Sequence, residues 1–110
     1  MELFENGYTD CLGNGKFSAL LAINRFLFED IYEFAGDLRT VNISKGNFRF
    51  ASVLYLKDVL ERIENMPQNN FNEIIEKYIE MNIAHPFREG NGRSMRIWLD
   101  LILKKSLIKL

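Results

Sequence analysis

Apolar residues recur three or four positions apart in four separate segments of this chain. That spacing places them on one face of a helix, so each segment predicts an amphipathic α-helix. The predicted helices cover residues 17–34, 56–66 and 71–84, and a last one runs from about residue 93 past the paired lysines at 104 and 105.

The ends of these helices are marked by residues with backbone preferences of their own. Gly36 supplies a stop after the first helix. Asn70 precedes the third helix, and Glu73 follows three residues later, a pattern close to a capping box. Pro86 disfavours helical geometry in the residue before it, so the third helix is expected to end at or just before His85.

A different periodicity separates the first two helices. Val41 and Ile43 alternate with polar residues, as do Phe48 and Phe50, and a glycine-containing turn at residues 45–47 lies between them. This pattern predicts a small β-hairpin. Because an isolated two-stranded hairpin is marginally stable in water, it must pack against the helices or against a partner.

These elements together predict an all-α fold, a helical bundle with a small β-hairpin flap. The length of 110 residues suits a single domain over residues 1–110, and a hydrophobic content of 47% is that of an ordinary globular protein. Residues 1–16 are polar and interrupted by glycines, so we expect a loosely ordered lead-in there.

Charge and composition exclude several classes of function. A net charge of −1 gives no electrostatic footprint for nucleic acid or for an anionic membrane surface. The single cysteine, Cys11, excludes an internal disulfide, and no apolar run approaches the roughly 20 residues that span a bilayer. The first residues lack the features of a signal peptide. We therefore expect a cytoplasmic protein.

The segment between the third and fourth predicted helices concentrates polar residues suited to an anion. Gly90 and Gly92 flank Asn91, and this trio lets a ligand approach the main chain closely. A helix that begins there presents free N–H groups and the positive end of its dipole, which typically bind phosphate. Arg93 and Arg96 share one helix face, and their guanidinium groups can bind a polyphosphate bidentately.

The same segment supplies a base and a carboxylate. His85 is the chain's only histidine, and an imidazole can deprotonate a hydroxyl near neutral pH. Glu89 can provide the carboxylate that Mg²⁺ requires when it binds polyphosphate. Taken singly, Glu89 is as readily a solvated charge, and the arginines as readily pair with acids such as Asp100. The combination within twelve residues favours attack of a hydroxyl on a nucleotide phosphate.

Residues 85–96 read His-Pro-Phe-Arg-Glu-Gly-Asn-Gly-Arg-Ser-Met-Arg. This segment resembles the signature of the Fic family, His-Pro-Phe-x-Asp/Glu-Gly-Asn-Gly-Arg-x-x-Arg, and matches every defined position. The resemblance extends upstream to residues 26–51, FLFEDIYEFAGDLRTVNISKGNFRFA, which look like the family's helix and hairpin flap.

The resemblance implies a role for each matched position. It makes His85 the base that deprotonates the target hydroxyl, Phe87 the anchor of the loop, and Glu89 the ligand of Mg²⁺. The positions that would bind ATP are Gly90, Asn91, Gly92, Arg93 and Arg96. The flap that would bind the target's backbone by strand addition consists of Ser44, Lys45, Gly46, Asn47, Phe48, Arg49 and Phe50.

The reaction that the resemblance implies is transfer of AMP from Mg-ATP to a hydroxyl of a target protein. In the family's death-on-curing branch a lysine stands at the position of Gly92 and the enzyme phosphorylates, so glycine favours AMP transfer. Other members use UMP or phosphocholine, or remove AMP. A module that binds a protein strand under nucleotide control is the second hypothesis, although such a module needs neither His85 nor Glu89.

Partners of the protein are also implied by the resemblance alone. Small bacterial Fic members often act as growth-arresting toxins on partners such as type II topoisomerases. Fic enzymes are commonly inhibited by a helix that carries Ser/Thr-x-x-x-Glu-Gly/Asn, and this sequence lacks that motif. Glu5-Asn6 and Glu64-Asn65 match its last two positions. However, Met1 and Leu60 stand at the corresponding first positions, where the motif has Ser or Thr. We therefore expect an inhibitory helix from a missing C-terminal extension or from an antitoxin chain.

Overall fold

The computed structural model describes residues 13–107. Within that range it contains four α-helices, one 3₁₀ turn and a two-stranded antiparallel hairpin. Their order is α1 Phe17–Phe28, β1 Ser44–Lys45, β2 Phe48–Arg49, the 3₁₀ turn Val53–Tyr55, α2 Leu56–Glu64, α3 Phe71–Ala84 and α4 Asn91–Leu107. The predicted all-α fold with a small hairpin is confirmed. No helix in residues 13–107 is long and apolar enough to cross a membrane.

Helix α4 is the central element of the core. It packs against both α1 and α3, and α2 packs against α3. Trp98 is fully buried in α4, and its indole Nε1 donates a hydrogen bond of 3.2 Å to the carbonyl of Lys16. The other fully or almost fully buried apolar side chains come from all four helices and include Leu20, Ile23, Leu60, Ile63, Ile74, Met81, Met95, Leu101 and Ile102.

Helix α1 is shorter than its apolar pattern predicted. It ends at Phe28 rather than near residue 34, because the Phe28 carbonyl accepts from the N–H groups of both Ile31 and Tyr32 and the chain then turns. Ile31, which continued the helical spacing, is 67% exposed. The prediction of one long helix was wrong because periodicity does not distinguish a buried apolar residue from one in an exposed turn.

The ends of α3 lie where the sequence placed them. The Asn70 side chain accepts from the Glu73 N–H at 2.9 Å, and the Glu73 carboxylate accepts from the Asn69 N–H at 2.9 Å. The helix ends at Ala84, directly before His85. Helix α4 begins at Asn91, two residues before the predicted start, so residues 91–93 form its first turn rather than a loop.

The segment before α1 packs against the connection between α2 and α3, where the Gln68 side-chain nitrogen donates to the Gly13 carbonyl at 3.5 Å. Residues 1–12 of the predicted lead-in lie outside the described residues, whereas Gly13 and Gly15 are buried. The Lys77 ammonium group, also buried, donates to the carbonyls of Glu64 and Met66, each at 3.1 Å, and to the Gln68 side chain at 2.9 Å. Burial lowers the pKa of Lys77, with the nearby Glu64 opposing the shift.

The hairpin is short and exposed. Ser44 pairs with Arg49 and Lys45 with Phe48, and residues 46 and 47 form the turn. All four strand residues are exposed, so the hairpin contributes little apolar burial of its own. Its position is set instead by the segment that follows, where the Ala51 N–H donates to the Ile83 carbonyl of α3 at 3.2 Å.

A buried leucine of α2 and an exposed leucine just before that helix are expected to differ in how much stability their substitution by alanine costs. Leu60 is fully buried, whereas Leu54 is 82% exposed. We expect Leu60→Ala to lower the free energy of unfolding by about 2–5 kcal/mol, because it removes buried methyl groups and leaves a cavity. We expect Leu54→Ala to change it by less than about 0.5 kcal/mol. Denaturant unfolding followed by circular dichroism checks both, and equal effects would contradict this assignment of the core.

Candidate functional site

The site is built on the reversal of the chain between α3 and α4. The His85 N–H closes α3 by donating to the Met81 carbonyl at 3.0 Å. His85 itself adopts left-handed backbone geometry, with φ of 50°, and it is the only non-glycine residue in residues 13–107 with a positive φ. Such geometry costs an L residue roughly 1–2 kcal/mol. Surrounding contacts must therefore hold His85 in place.

A closed pair of hydrogen bonds across the loop restrains the chain that follows His85. The Phe87 N–H donates to the Asn91 side-chain oxygen at 2.8 Å, and the Asn91 side-chain nitrogen donates to the Phe87 carbonyl at 2.6 Å. The Phe87 side chain is buried in the core. The amide of Asn91 is thus occupied by the loop, and the part of Asn91 left for a ligand is its backbone N–H.

Asn24 fastens the loop to α1 and was not identified from the sequence. Its side-chain nitrogen donates to the Glu89 carbonyl at 3.2 Å and to the Ser94 hydroxyl at 3.0 Å. Its side-chain oxygen accepts from the Gly36 N–H at 2.8 Å. The signal available in the sequence was a polar residue on the apolar face of α1, four positions after the buried Leu20.

The start of α4 leaves backbone donors free for an anion. Its first helical bond runs from the Ser94 N–H to the Gly90 carbonyl at 3.0 Å, so the N–H groups of residues 91–93 have no acceptor within the helix. A Cβ atom added at Gly92 would meet nothing within 4 Å. Open space therefore lies beside these N–H groups, at the positive end of a 17-residue helix.

Two arginines extend this positive region along α4. Arg93 and Arg96 line a cavity of about 540 Å³ together with Tyr78, Gly92, Ile97 and Asp100. Both side chains are exposed, and in the part of the chain that the structure describes neither forms an ion pair with a carboxylate, including Asp100. Their charges are therefore available to a ligand in the cavity. The Glu89 side chain is exposed at the lip of the same helix start.

The imidazole of His85, at the first residue of the loop, lies against Phe50 of the flap. Its ring stacks on Phe50, with ring centroids 3.8 Å apart and planes inclined by 14°. Burial lowers the pKa of His85 below its ordinary value of 6.5, and the positive charges of Arg39 and Lys45 lower it further. The ring is therefore neutral at neutral pH, which is the state in which an imidazole accepts a proton.

Arg39 is the second residue of the site that sequence reasoning missed. It is 2% exposed, and its backbone N–H donates to the Pro86 carbonyl at 2.8 Å. Its guanidinium donates to the His85 carbonyl at 2.6 Å and to three further carbonyls. Nothing in the residues next to Arg39 distinguishes it from an exposed arginine, so the sequence alone carried no signal.

The structure brings most of the sequence-predicted residues together, but not in one cluster. His85 lies at the first residue of the loop, and the ATP-binding candidates lie at its end and in the first turns of α4. Of the flap candidates, Phe50 contacts His85, and Phe48 packs against Phe50 with ring centroids 5.0 Å apart. Ser44 and Arg49 line a separate hollow of about 310 Å³ with residues 42, 43, 50 and 52. Gly46 and Asn47 form the exposed tip.

The sequence of this chain matches a known protein family. A model of the Fic/DOC family matches residues 16–103. The protein adenylyltransferase VbhT of Bartonella schoenbuchensis is 35% identical over 108 residues, which are 86% of this chain and 23% of that protein. The probable protein adenylyltransferase Fic of Salmonella typhimurium is 33% identical over 92 residues, 74% of this chain and 46% of that protein. The chain thus spans less than half the length of either curated relative.

Solved structures show the same fold. The VirB-translocated effector protein BepC of Bartonella tribocorum, solved with bound AMPPNP, superposes with a TM-score of 0.75 at 21% identity, over 86% of this chain and 57% of that chain. The type IV secretion system effector protein BepA superposes with a TM-score of 0.72 at 25% identity, over 84% of this chain and 40% of that chain.

Gly90 and Gly92 are expected to differ strongly in how much stability their substitution by alanine costs. Gly90 has a φ of +78°, and an added Cβ would lie 2.2 Å from the Phe28 ring. Strain and overpacking together should lower the free energy of unfolding of Gly90→Ala by about 2–5 kcal/mol. Gly92→Ala fills open space in a helix and should change it by less than about 1 kcal/mol. Thermal and denaturant unfolding distinguish the pair, and a Gly92→Ala protein as unstable as Gly90→Ala would contradict this geometry.

The environment of His85 predicts its titration and a pH dependence of stability. Because the folded pKa lies below 6.5, the unfolded chain binds more protons in the interval between the two values. This contribution to the free energy of unfolding is complete above pH 6.5 and is lost as the pH falls through the folded pKa. The ring protons of the single histidine give the folded value by NMR. His85→Asn, the control, should lack this step, and a folded pKa above 6.5 would contradict the prediction.

Proposed function

The chain belongs to the Fic/DOC family, and we propose that it is a protein adenylyltransferase, which moves AMP from ATP onto a hydroxyl side chain of a target protein. The curated relatives that carry the name protein adenylyltransferase support this activity. The observation that carries the proposal is the arrangement of the loop at residues 85–92. A neutral imidazole lies at one end, and the free N–H groups of a helix start lie at the other.

His85 is the general base in this proposal. Its ring accepts the proton of the target hydroxyl while the hydroxyl oxygen forms a bond to the α-phosphorus. The bond between the α-phosphorus and the oxygen that bridges to the β-phosphate breaks, and pyrophosphate leaves. A lowered pKa suits this role, because the base must be unprotonated at neutral pH to accept the proton.

The nucleotide binds at the start of α4. The N–H groups of residues 91–93 donate to phosphate oxygens, and the open space beside Gly92 admits them. Arg93 and Arg96 bind the terminal phosphates from the cavity that they line. The transfer is therefore favoured by donors that are already aimed where negative charge develops.

Glu89 is the residue that would hold Mg²⁺. Residues 13–107 contain no group of three or more His, Cys, Asp or Glu side chains able to hold a metal ion by themselves. A single exposed carboxylate beside an anion site fits Mg²⁺, which takes one or two carboxylates together with phosphate oxygens and water. When bound, the ion would offset the negative charge of the phosphates.

The flap is the proposed binding site for the target. Its strands are exposed, so their edge is open to addition of an extended segment from another protein. Since the Phe50 ring stacks on His85, a segment paired with the flap would lie close to the base.

We expect a cytoplasmic, growth-arresting toxin, for which type II topoisomerase subunits are the first candidate targets. An inhibitory helix would act by pairing its glutamate with Arg96.

Radiolabelled ATP tests the proposal directly. The protein is incubated with Mg²⁺ and ATP labelled at the α- or the γ-phosphate, alone and with bacterial lysate. We expect protein labelling from the α-label only, reduced at least about 100-fold in His85→Ala, because general bases contribute about 10²–10⁴-fold. ATP binding by that variant should be unchanged, since the phosphate donors lie on α4. Leu54→Ala serves as the active control.

Two results would contradict adenylyl transfer. Labelling from the γ-label only would mean transfer of a phosphoryl group instead. No labelling from either ATP, with ATP still bound, would favour another donor nucleotide or a module that binds proteins under nucleotide control.

A further inference from the structure

The guanidinium of Arg39 is buried and donates only to backbone carbonyls. Its Nε donates to the His85 carbonyl at 2.6 Å. One terminal nitrogen donates to the Val41 carbonyl at 2.8 Å, and the other donates to the carbonyls of Ala84, at 3.0 Å, and Ala51. The pKa of Arg39 is lowered by burial, and no carboxylate contributes to that shift. Among residues 13–107, carbonyl dipoles alone therefore balance this charge.

These four carbonyls belong to two parts of the site that are distant in sequence. Ala84 and His85 form the C-terminal end of α3, where the helix dipole is negative and a cation is stabilised. Val41 and Ala51 flank the flap, one before β1 and the other after β2. A single side chain thus ties both ends of the flap to the backbone of His85.

Because the backbone of His85 is left-handed, its conformation depends on these hydrogen bonds from Arg39. A strained backbone persists only where its surroundings determine it, and Arg39 bonds to His85 through its side chain and to Pro86 through its N–H. The same residue sets the position of the flap that carries Phe50, whose ring lies against the imidazole. The orientation of the imidazole therefore depends on Arg39 in two ways: through the backbone of His85 at the end of α3, and through the flap residue Phe50 on which the ring stacks.

We infer that Arg39 is a positioning residue for His85, holding the imidazole at the flap in the orientation that deprotonates the target hydroxyl. This inference rests on the proposed function, in which His85 is the base. Arg39 contacts neither the ring of His85 nor the groups of α4 assigned to the nucleotide. Its loss should therefore lower the rate of transfer and leave the affinity for ATP unchanged.

Arg39→Lys is the informative variant. It retains a positive charge near His85 but replaces a planar fork of five N–H donors by an ammonium group with three, so the four carbonyls are no longer all bonded. The matched control is Arg62→Lys, because Arg62 is exposed on α2. Both proteins are studied below the temperature at which either begins to unfold, so that loss of folded protein does not contribute.

Because His85 is the only histidine in the sequence, the histidine ring signals in an NMR spectrum report on this residue alone. In the wild type, the ring protons of His85 should be shifted upfield by the stacked Phe50 ring. In Arg39→Lys we expect that shift to be lost and the pKa of His85 to rise toward 6.5, because the ring becomes more solvated while the charge is retained. We expect transfer from α-labelled ATP to fall about 10- to 100-fold, because misplacement of a catalytic group by about 1 Å can cost about 100-fold in rate. Affinity for a non-hydrolysable ATP analogue should stay within about twofold.

A folded Arg39→Lys protein whose His85 signals and pKa match the wild type would overturn the inference, whatever its stability. If the variant does not fold, relaxation dispersion of the Arg39 Nε–H is compared with relaxation dispersion of the His85 ring in the wild type, so that both probes report motion on the same timescale. The inference requires that both show the same exchange process, and a ring that exchanges between conformations while the Nε–H does not would overturn it. An inactive wild type would refute the proposed function, yet the NMR comparison would still test the role of Arg39.

Discussion

The reversal of the chain between α3 and α4 is the constraint on which the site depends. It turns within six residues, using left-handed geometry at His85 and at Gly90 and a reciprocal pair of hydrogen bonds between Phe87 and Asn91. The buried Phe87 side chain fixes the loop to the core. Because the loop is closed in this way, the proposed base at its first residue and the free N–H groups at its end keep a fixed separation. Neither helix alone could set that separation.

The flap shows how an element too small to be stable can still be held in position. Its strands contribute two residues each and are exposed, so apolar burial does not hold them. Hydrogen bonds at its flanks take that role, through Arg39 and through the Ala51 N–H on the Ile83 carbonyl. Their acceptors include the last carbonyls of α3, which a helix end leaves unpaired. The end of α3 and the flap therefore satisfy each other's hydrogen-bonding groups.

The parts of the fold that the sequence predicted correctly are those governed by neighbours along the chain. The cap at Asn70, the end of α3 before Pro86 and the turn of the hairpin each depend on a few consecutive residues. The candidate site could be proposed from the sequence because its residues are contiguous. Asn24 and Arg39 escaped prediction because the partners of their side chains lie as far as 70 and 46 residues away, respectively, and nothing local reveals such contacts.

The proposed function requires a precise orientation of one residue and only positive charge from others. In the proposed reaction His85 must meet a hydroxyl in one orientation, and its backbone and ring are held by Arg39 and Phe50. Arg93 and Arg96 are exposed and line an open cavity. A polyphosphate is a flexible, multiply charged ligand, so side chains that adjust to it are suitable there. Proton transfer tolerates far less displacement. Buried hydrogen bonds accordingly hold the backbone of His85, through Arg39, and the loop that follows it, through Asn24 and Asn91.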